Sequence, residues 1–191
     1  MLWTHDVAQL VAILETDCSV AVLRRHPQPA IVAYLDAALG APGGMAGFRR
    51  VLDVASPDYP SLLPALPGRD ALAADLSALT SLFADLLGCE RIGFRLEVCS
   101  AAMCPKFHAD RVALRMLCTY RGPGTQWIDP EHEDPQAAIE GRAIAQAAAF
   151  DVVLLKGHAW PGNDGHGAVH RSPDVAPECA PRVLAAFDAV W

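Results

Sequence analysis

Two histidines, one aspartate and one arginine carry the chemistry that can be read from this chain. His108 and Asp110 lie in Cys104-Pro-Lys-Phe-His-Ala-Asp110, His170 lies in Gly167-Ala-Val-His-Arg-Ser-Pro173, and Arg182 follows a dozen residues later. Two imidazoles and one carboxylate on one side of a site form the facial triad that holds divalent iron and leaves positions open for substrate and oxygen. A downstream arginine suits an anionic cosubstrate, because its planar fork binds a carboxylate through two parallel hydrogen bonds.

The His-x-Asp pattern occurs twice. The second copy, His132-Glu133-Asp134, sits in an acidic stretch flanked by Pro130 and Pro135, and reads as a solvated loop. After the first copy comes Val112-Ala-Leu-Arg-Met-Leu-Cys-Thr-Tyr120, rich in strand formers, then a Gly-Pro-Gly turn and a second short run to Ile128. That succession predicts a hairpin. Uninterrupted alternation would put His108, Asp110, Val112, Leu114, Met116, Cys118 and Tyr120 on one face. The plain alternative for either histidine is a hydrogen-bonded core residue.

The elements that must position these residues follow from patterning. Asp151–Lys156 reads as a buried strand, His170 falls at the end of a brief strand, and Arg182 stands at the entrance of a final strand. Arg171, beside His170, competes with Arg182 for the anion role. Between them the loop 157–167 holds His158 and His166, either surface residues or extra ligands. Trp127 and Trp160 are candidate walls of a substrate pocket and Asn163 a candidate substrate contact, against plain readings as core aromatics and turn chemistry.

Upstream, residues 5–17 read as a short helix with Thr4 as N-cap, 18–25 as a strand, 29–39 as a helix opened by Pro29, and 48–54 as a strand. Residues 56–68, with four prolines, read as a loop. Asp70–Leu87 is the clearest helix, with an apolar stripe through Leu72, Leu76, Leu79 and Phe83 and Gly88 closing it. Ile92, Phe94, Leu96 and Val98 alternate with Gly93, Arg95 and Glu97, the pattern of a half-buried strand. Helices thus dominate 1–88 and strands 90–191. Together they predict one α+β domain, residues 1–191, with N-terminal helices packed outside a strand-rich metal-binding core.

Composition narrows the function classes. At 191 residues and 52% hydrophobic the chain can bury a sizeable core. A net charge of −7 without a basic cluster argues against nucleic-acid partners. The first residues lack the pattern of a signal peptide, and no segment has the roughly 18 apolar residues of a membrane span, so a soluble cytoplasmic protein is expected. The six cysteines are expected to be reduced thiols. Cys99 and Cys104, ahead of His108, sketch a Cys/His zinc site as the alternative, although the usual closed site needs four well-spaced ligands.

The order His-x-Asp, strand, glycine turn with threonine, buried strand, distal His and then Arg resembles the iron(II)- and 2-oxoglutarate-dependent oxygenases. That resemblance implies a double-stranded β-helix, a cupin-like jelly-roll barrel with the metal at its mouth. It also implies His108, Asp110 and His170 as ligands, Arg182 as partner of the distal carboxylate of 2-oxoglutarate, and Tyr120 and Thr125 as nearby polar contacts. The longer strings Cys104–Asp110, Tyr120-Arg-Gly-Pro-Gly-Thr-Gln-Trp127, Trp160-Pro-Gly-Asn163 and Ala168–Pro173 are similar to a bacterial family, domain of unknown function 1826. This second resemblance implies a neighbourhood of zinc-responsive genes and a role in metal homeostasis. Two expectations result: an Fe(II)/2-oxoglutarate oxygenase acting on a small-molecule or protein substrate, or a non-catalytic or hydrolytic Zn(II) protein on the same scaffold.

Overall fold

The computed structural model describes residues 1–128, 144–163 and 165–191, so the second His-x-Asp copy lies outside the described residues. Among the described residues ten strands and three α-helices form in the order β1 (Leu2–Thr4), β2 (Val20–Leu23), α1 (Pro29–Gly40), β3 (Phe48–Asp53), α2 (Tyr59–Leu62), α3 (Arg69–Leu87), β4 (Arg91–Cys99), β5 (Leu114–Arg121), β6 (Gln126–Ile128), β7 (Ile144–Gln146), β8 (Val152–Lys156), β9 (His170–Arg171) and β10 (Arg182–Val190). A 3-10 helix, Val7–Leu14, fills the expected place of the first helix. Its cap is Asp6, whose carboxylate accepts from the Ala8 N–H at 3.0 Å. Thr4 instead ends β1.

The strands form two sheets. The larger has seven in the order β1-β2-β8-β5-β10-β4-β3, and the smaller has β7-β6-β9. Period-2 alternation divides the large sheet. One face sends Ile92, Phe94, Leu96, Met116, Cys118, Leu154, Val183, Ala185 and Phe187 into a core shared with Leu72, Leu76, Leu79 and Phe83 of α3 and Ile31, Tyr34 and Leu35 of α1. The other face sends Val20, Val22, Leu117, Val153, Leu155, Leu184 and Ala186 against Trp127 of the small sheet. This is the double-stranded β-helix with helices outside. The helix-rich N-terminal part contributes more than helices, since β1, β2 and β3 extend both ends of the large sheet.

The expected hairpin does not form. β5 pairs with β8 and β10, whereas β6 pairs with β7 and β9, so residues 122–125 carry the chain from one sheet to the other. The backbone passes so close to its neighbour that a Cβ on Gly124 would lie 2.2 Å from the Ala147 carbonyl oxygen. Glycine there permits the crossing, which strand patterning alone cannot tell from a hairpin turn.

Candidate metal centre

The two histidines are brought together by backbone pairing. The His108 N–H donates to the His170 carbonyl at 3.0 Å, and the His170 N–H returns a bond to the His108 carbonyl at 2.8 Å. Their rings lie 4.6 Å apart between centroids. Asp110 is held on the opposite side, where its carbonyl accepts from the His158 N–H at 2.8 Å. A Cβ on Gly157 would lie 2.0 Å from the Val112 carbonyl oxygen, so the backbones touch where the Asp110 segment crosses that loop.

One ligand atom from each of His108, Asp110 and His170 falls within a 4.8 Å group. Each histidine places Nδ1 against a backbone carbonyl, His108 on Lys106 at 3.0 Å and His170 on Ala168 at 2.9 Å. A proton on Nδ1 satisfies that carbonyl and leaves the Nε2 lone pair for a metal. Both Nε2 atoms face the carboxylate, His108 at 3.8 Å from Oδ1 and His170 at 3.3 Å from Oδ2. Burial alone would raise the Asp110 carboxyl. Without a metal and with both imidazoles protonated, the hydrogen bond from His170 and the charges of Arg115, His170 and His108 outweigh it and hold the group at about 2. It is therefore an anion at neutral pH, as a ligand must be.

Arg115, on β5, fixes the orientation of that carboxylate. It donates from Nη1 to Asp110 Oδ2 at 2.7 Å, and from Nε and Nη2 to the two oxygens of Asp188 at 2.7 and 3.1 Å. Asp188 also accepts from Arg95 at 3.1 Å. This chain of charges was missed in the sequence. Alternation puts Arg95, Glu97 and Arg115 opposite the helix-side core residues of their own strands, but it does not say which of them meet or that Arg115 shares a face with Asp110.

Arg182 lies on the same inner face and is only 2% exposed. Its Nε donates to the Pro123 carbonyl at 2.8 Å, and one Nη donates to the Thr119 and Thr125 hydroxyls at 3.0 and 3.2 Å. Among the described residues no carboxylate pairs with it. Burial lowers it to about 10, opposed by Cys99, so it remains a cation at neutral pH. Beside the triad a small cavity of about 70 Å³, open to solvent, is walled by Arg95, Glu97, Met103, Cys104, Arg115, Leu117, Thr125, Leu184 and Ala186 among others.

Several expected residues sit elsewhere. Bends at 111–113 interrupt the alternation assumed from His108 onward. Arg115, Leu117 and Thr119 therefore face the cavity side, and Tyr120 turns to the helices, where its hydroxyl donates to Asp75 at 2.5 Å. Tyr120 is thus corrected from a cosubstrate contact to a core residue. Trp127 is completely buried between the sheets, with its indole N–H on Met1 Sδ. Trp160 packs against the helix-side core beneath Lys156, and Asn163 ties its own loop by donating to the Gly157 carbonyl. None of these three lines the cavity. The Arg171 guanidinium stacks on Phe107, donates to Gln126 and lines the cavity, whereas Arg182 does not itself line it but bonds Thr125, which does. Cys104 is exposed at the cavity rim and outside the ligand group, and all six cysteines are free thiols. His158 accepts from the Gly167 N–H.

Solved structures with this architecture include the rice dioxygenase for auxin oxidation, which is 19% identical with a TM-score of 0.56 over 96% of this chain and 77% of that one. The Arabidopsis thaliana dioxygenase for auxin oxidation 1, solved as a complex with 2-oxoglutarate, is 14% identical with a TM-score of 0.57 over 100% and 92%. A Pseudomonas putida prolyl-4-hydroxylase is 12% identical with a TM-score of 0.53 over 97% and 100%. At these identities the likeness is one of fold: the double-stranded β-helix of the 2-oxoglutarate oxygenases. No curated protein sequence matches the chain. Within that fold the chain belongs to the family described as protein of unknown function DUF1826, whose model matches residues 4–188.

Proposed function

We propose that this protein is an iron(II)- and 2-oxoglutarate-dependent oxygenase, with His108, Asp110 and His170 as metal ligands and Arg182 as the cosubstrate anchor. One observation carries the reading: a His-Asp-His group and a buried guanidinium without a carboxylate partner share the inner face of one barrel. The donor set of two imidazoles and one carboxylate fits iron(II) and leaves open positions. When bound, iron and 2-oxoglutarate supply the oxidising chemistry, with oxidative decarboxylation of the cosubstrate to succinate providing two electrons for the reduction of oxygen.

The residues perform the rest. The Lys106 and Ala168 carbonyls hold both imidazoles in the tautomer that exposes Nε2. Arg115 occupies Oδ2 of Asp110 and so leaves Oδ1 the freer oxygen. Thr119, Thr125 and the Pro123 carbonyl orient Arg182, whose other Nη has no hydrogen bond among the described residues and is available to a carboxylate. Leu117, Leu184 and Ala186 make part of the cavity wall apolar. A closed zinc site needs four protein ligands. Among the described residues the group offers three, and Cys104 does not complete it.

Anaerobic titration of Fe(II) and then 2-oxoglutarate, with succinate release measured afterwards, tests the proposal. His108→Ala, Asp110→Ala and His170→Ala should each abolish stoichiometric metal binding, and His132→Ala should not. Arg182→Ala should leave metal affinity nearly unchanged while weakening 2-oxoglutarate by about 2–5 kcal/mol, the range for truncating one partner of a buried charge pair. Tightly held metal without any 2-oxoglutarate binding would overturn the oxygenase reading.

A further inference from the structure

Arg49 on β3 and Arg95 on β4 stand directly opposite each other in the antiparallel register. Directly opposite residues point to the same face, and like charges so placed destabilise a sheet. Glu97 accepts from Arg49 at 2.9 Å, while Asp188 divides itself between Arg95 at 3.1 Å and two bonds to Arg115. With Asp110 on Arg115, three carboxylates serve three guanidiniums, and Asp188 is the one shared between two of them. Both arginines line a shallow groove floored by Gly93 and flanked by Val51 and Asp188, and Arg95 lines the metal cavity as well. The groove and the cavity thus meet at one guanidinium.

Resting on the oxygenase reading, we propose that the substrate is a small anion whose carboxylate or phosphate group is held between Arg49 and Arg95, with the rest of the molecule reaching along the inner face toward His108, Asp110 and His170. An anion between the two guanidiniums relieves the cross-strand repulsion and makes the charge-assisted bonds that an arginine fork favours. Arg95 and Arg115 share Asp188, and Arg115 in turn reaches Asp110, so a short relay of side-chain hydrogen bonds separates the Arg95 guanidinium from the triad, a span that a small metabolite covers. A polyanion is disfavoured by the negative charge of the whole chain.

The test uses the full chain loaded anaerobically with Mn(II) and saturating 2-oxoglutarate, which occupies Arg182. Inorganic phosphate and acetate are titrated separately, with the paramagnetic relaxation of phosphorus and of the acetate carbons as readout. Saturable relaxation by one or both is expected, and which of them binds tells phosphate from carboxylate. Affinity should fall at least fivefold in Arg49→Gln, whose side chain is 66% exposed and whose loss the fold should tolerate. It should fall at least tenfold in the Arg49→Gln, Arg95→Gln double variant, and Arg69→Gln on α3 should change nothing. No saturable relaxation, or relaxation undiminished in the double variant because the anion sits on the metal, overturns the proposal. If the protein takes up neither metal nor 2-oxoglutarate, the oxygenase reading has failed instead. Calorimetric titration of the same anions into metal-free protein and the double variant then decides whether the arginine pair binds anions by itself, and absence of that binding overturns the anion site too.

Discussion

Arg115 shows what a single residue adds to a set of ligands. Asp110 has two oxygens, and a metal at the triad needs one of them facing the two Nε2 atoms. The bond from Arg115 to Oδ2, backed by the two bonds to Asp188, fixes that choice before any metal arrives. Partners of this kind typically change metal affinity by 10–100-fold. Arg115→Met should therefore weaken Mn(II) binding by about that factor in a competition titration, and unchanged affinity would show that Asp110 is oriented by other contacts. The same environment makes metal-free stability depend on pH. The Asp110 carboxyl falls from 3.8 to about 2, so its ionised form favours the folded state. That contribution is complete above the ordinary carboxylate range and disappears as pH falls toward 2. At about 1.4 kcal/mol per tenfold change it amounts to about 2 kcal/mol, which Asp110→Asn should remove from the acid limb of a denaturant series. The three ligands were legible in the sequence because their types and order are restrictive. Arg115 was not, because an arginine on a strand gains its meaning only from the residues on neighbouring strands.

At the scale of elements, the site depends on how the chain enters and leaves β5. Alternation from His108 to Tyr120 predicts one continuous strand, and it fails at the bends of 111–113, where the residues leave the ladder to pass beneath Gly157. Residues before the bend keep their inward direction, and those after it are displaced by one, which sends Tyr120 outward and Arg115 and Thr119 inward. No local composition announces such a bend, since its cause is a backbone 45 residues away in the chain. Gly157→Ala tests that cause. A methyl group there would meet the Val112 and Asp110 carbonyl oxygens at 2.0 and 2.8 Å, so the Asp110 segment must move. Overpacking of this kind costs about 1–3 kcal/mol. The variant should melt earlier and bind metal more weakly, whereas alanine at Gly40, which has nothing within 4 Å, should leave metal binding intact. Equal metal affinity in the two variants would mean that the contact with residue 157 does not position Asp110. The outer elements were easier to read: α1, α3 and β4 carry clean periodicity, and their observed bounds differ from the expected ones by a residue or two.

Across the whole molecule the large sheet separates stability from chemistry. Its helix side is largely apolar, with a buried Tyr59–Thr80 hydroxyl pair and one charged network, in which Asp75 of α3 accepts two bonds from Arg25 at 2.7 and 3.1 Å and one from the Tyr120 hydroxyl at 2.5 Å. That network ties the longest helix to the strand carrying Arg115 and to the segment after β2. Its carboxylate is 7% exposed and its guanidinium 19%, so removing one partner leaves a nearly buried charge alone, a change that costs about 3–5 kcal/mol. The other side holds Arg95, Arg115, Arg182, Glu97 and Asp188, charges that a stable core would not require. The two faces share a backbone but not their side chains, and they should therefore respond separately to mutation. Asp75→Ala is expected to lower the denaturant midpoint by the equivalent of about 3–5 kcal/mol, while the protein that remains folded binds Mn(II) with the affinity of the unmutated chain. Arg182→Ala should weaken 2-oxoglutarate without a comparable loss of stability, because it removes a buried cation that has no carboxylate partner among the described residues. Measuring both variants by denaturant unfolding and by metal and 2-oxoglutarate titration gives four numbers. If Asp75→Ala weakens metal binding as much as it weakens the fold, the sheet transmits strain from one face to the other and the division of labour fails.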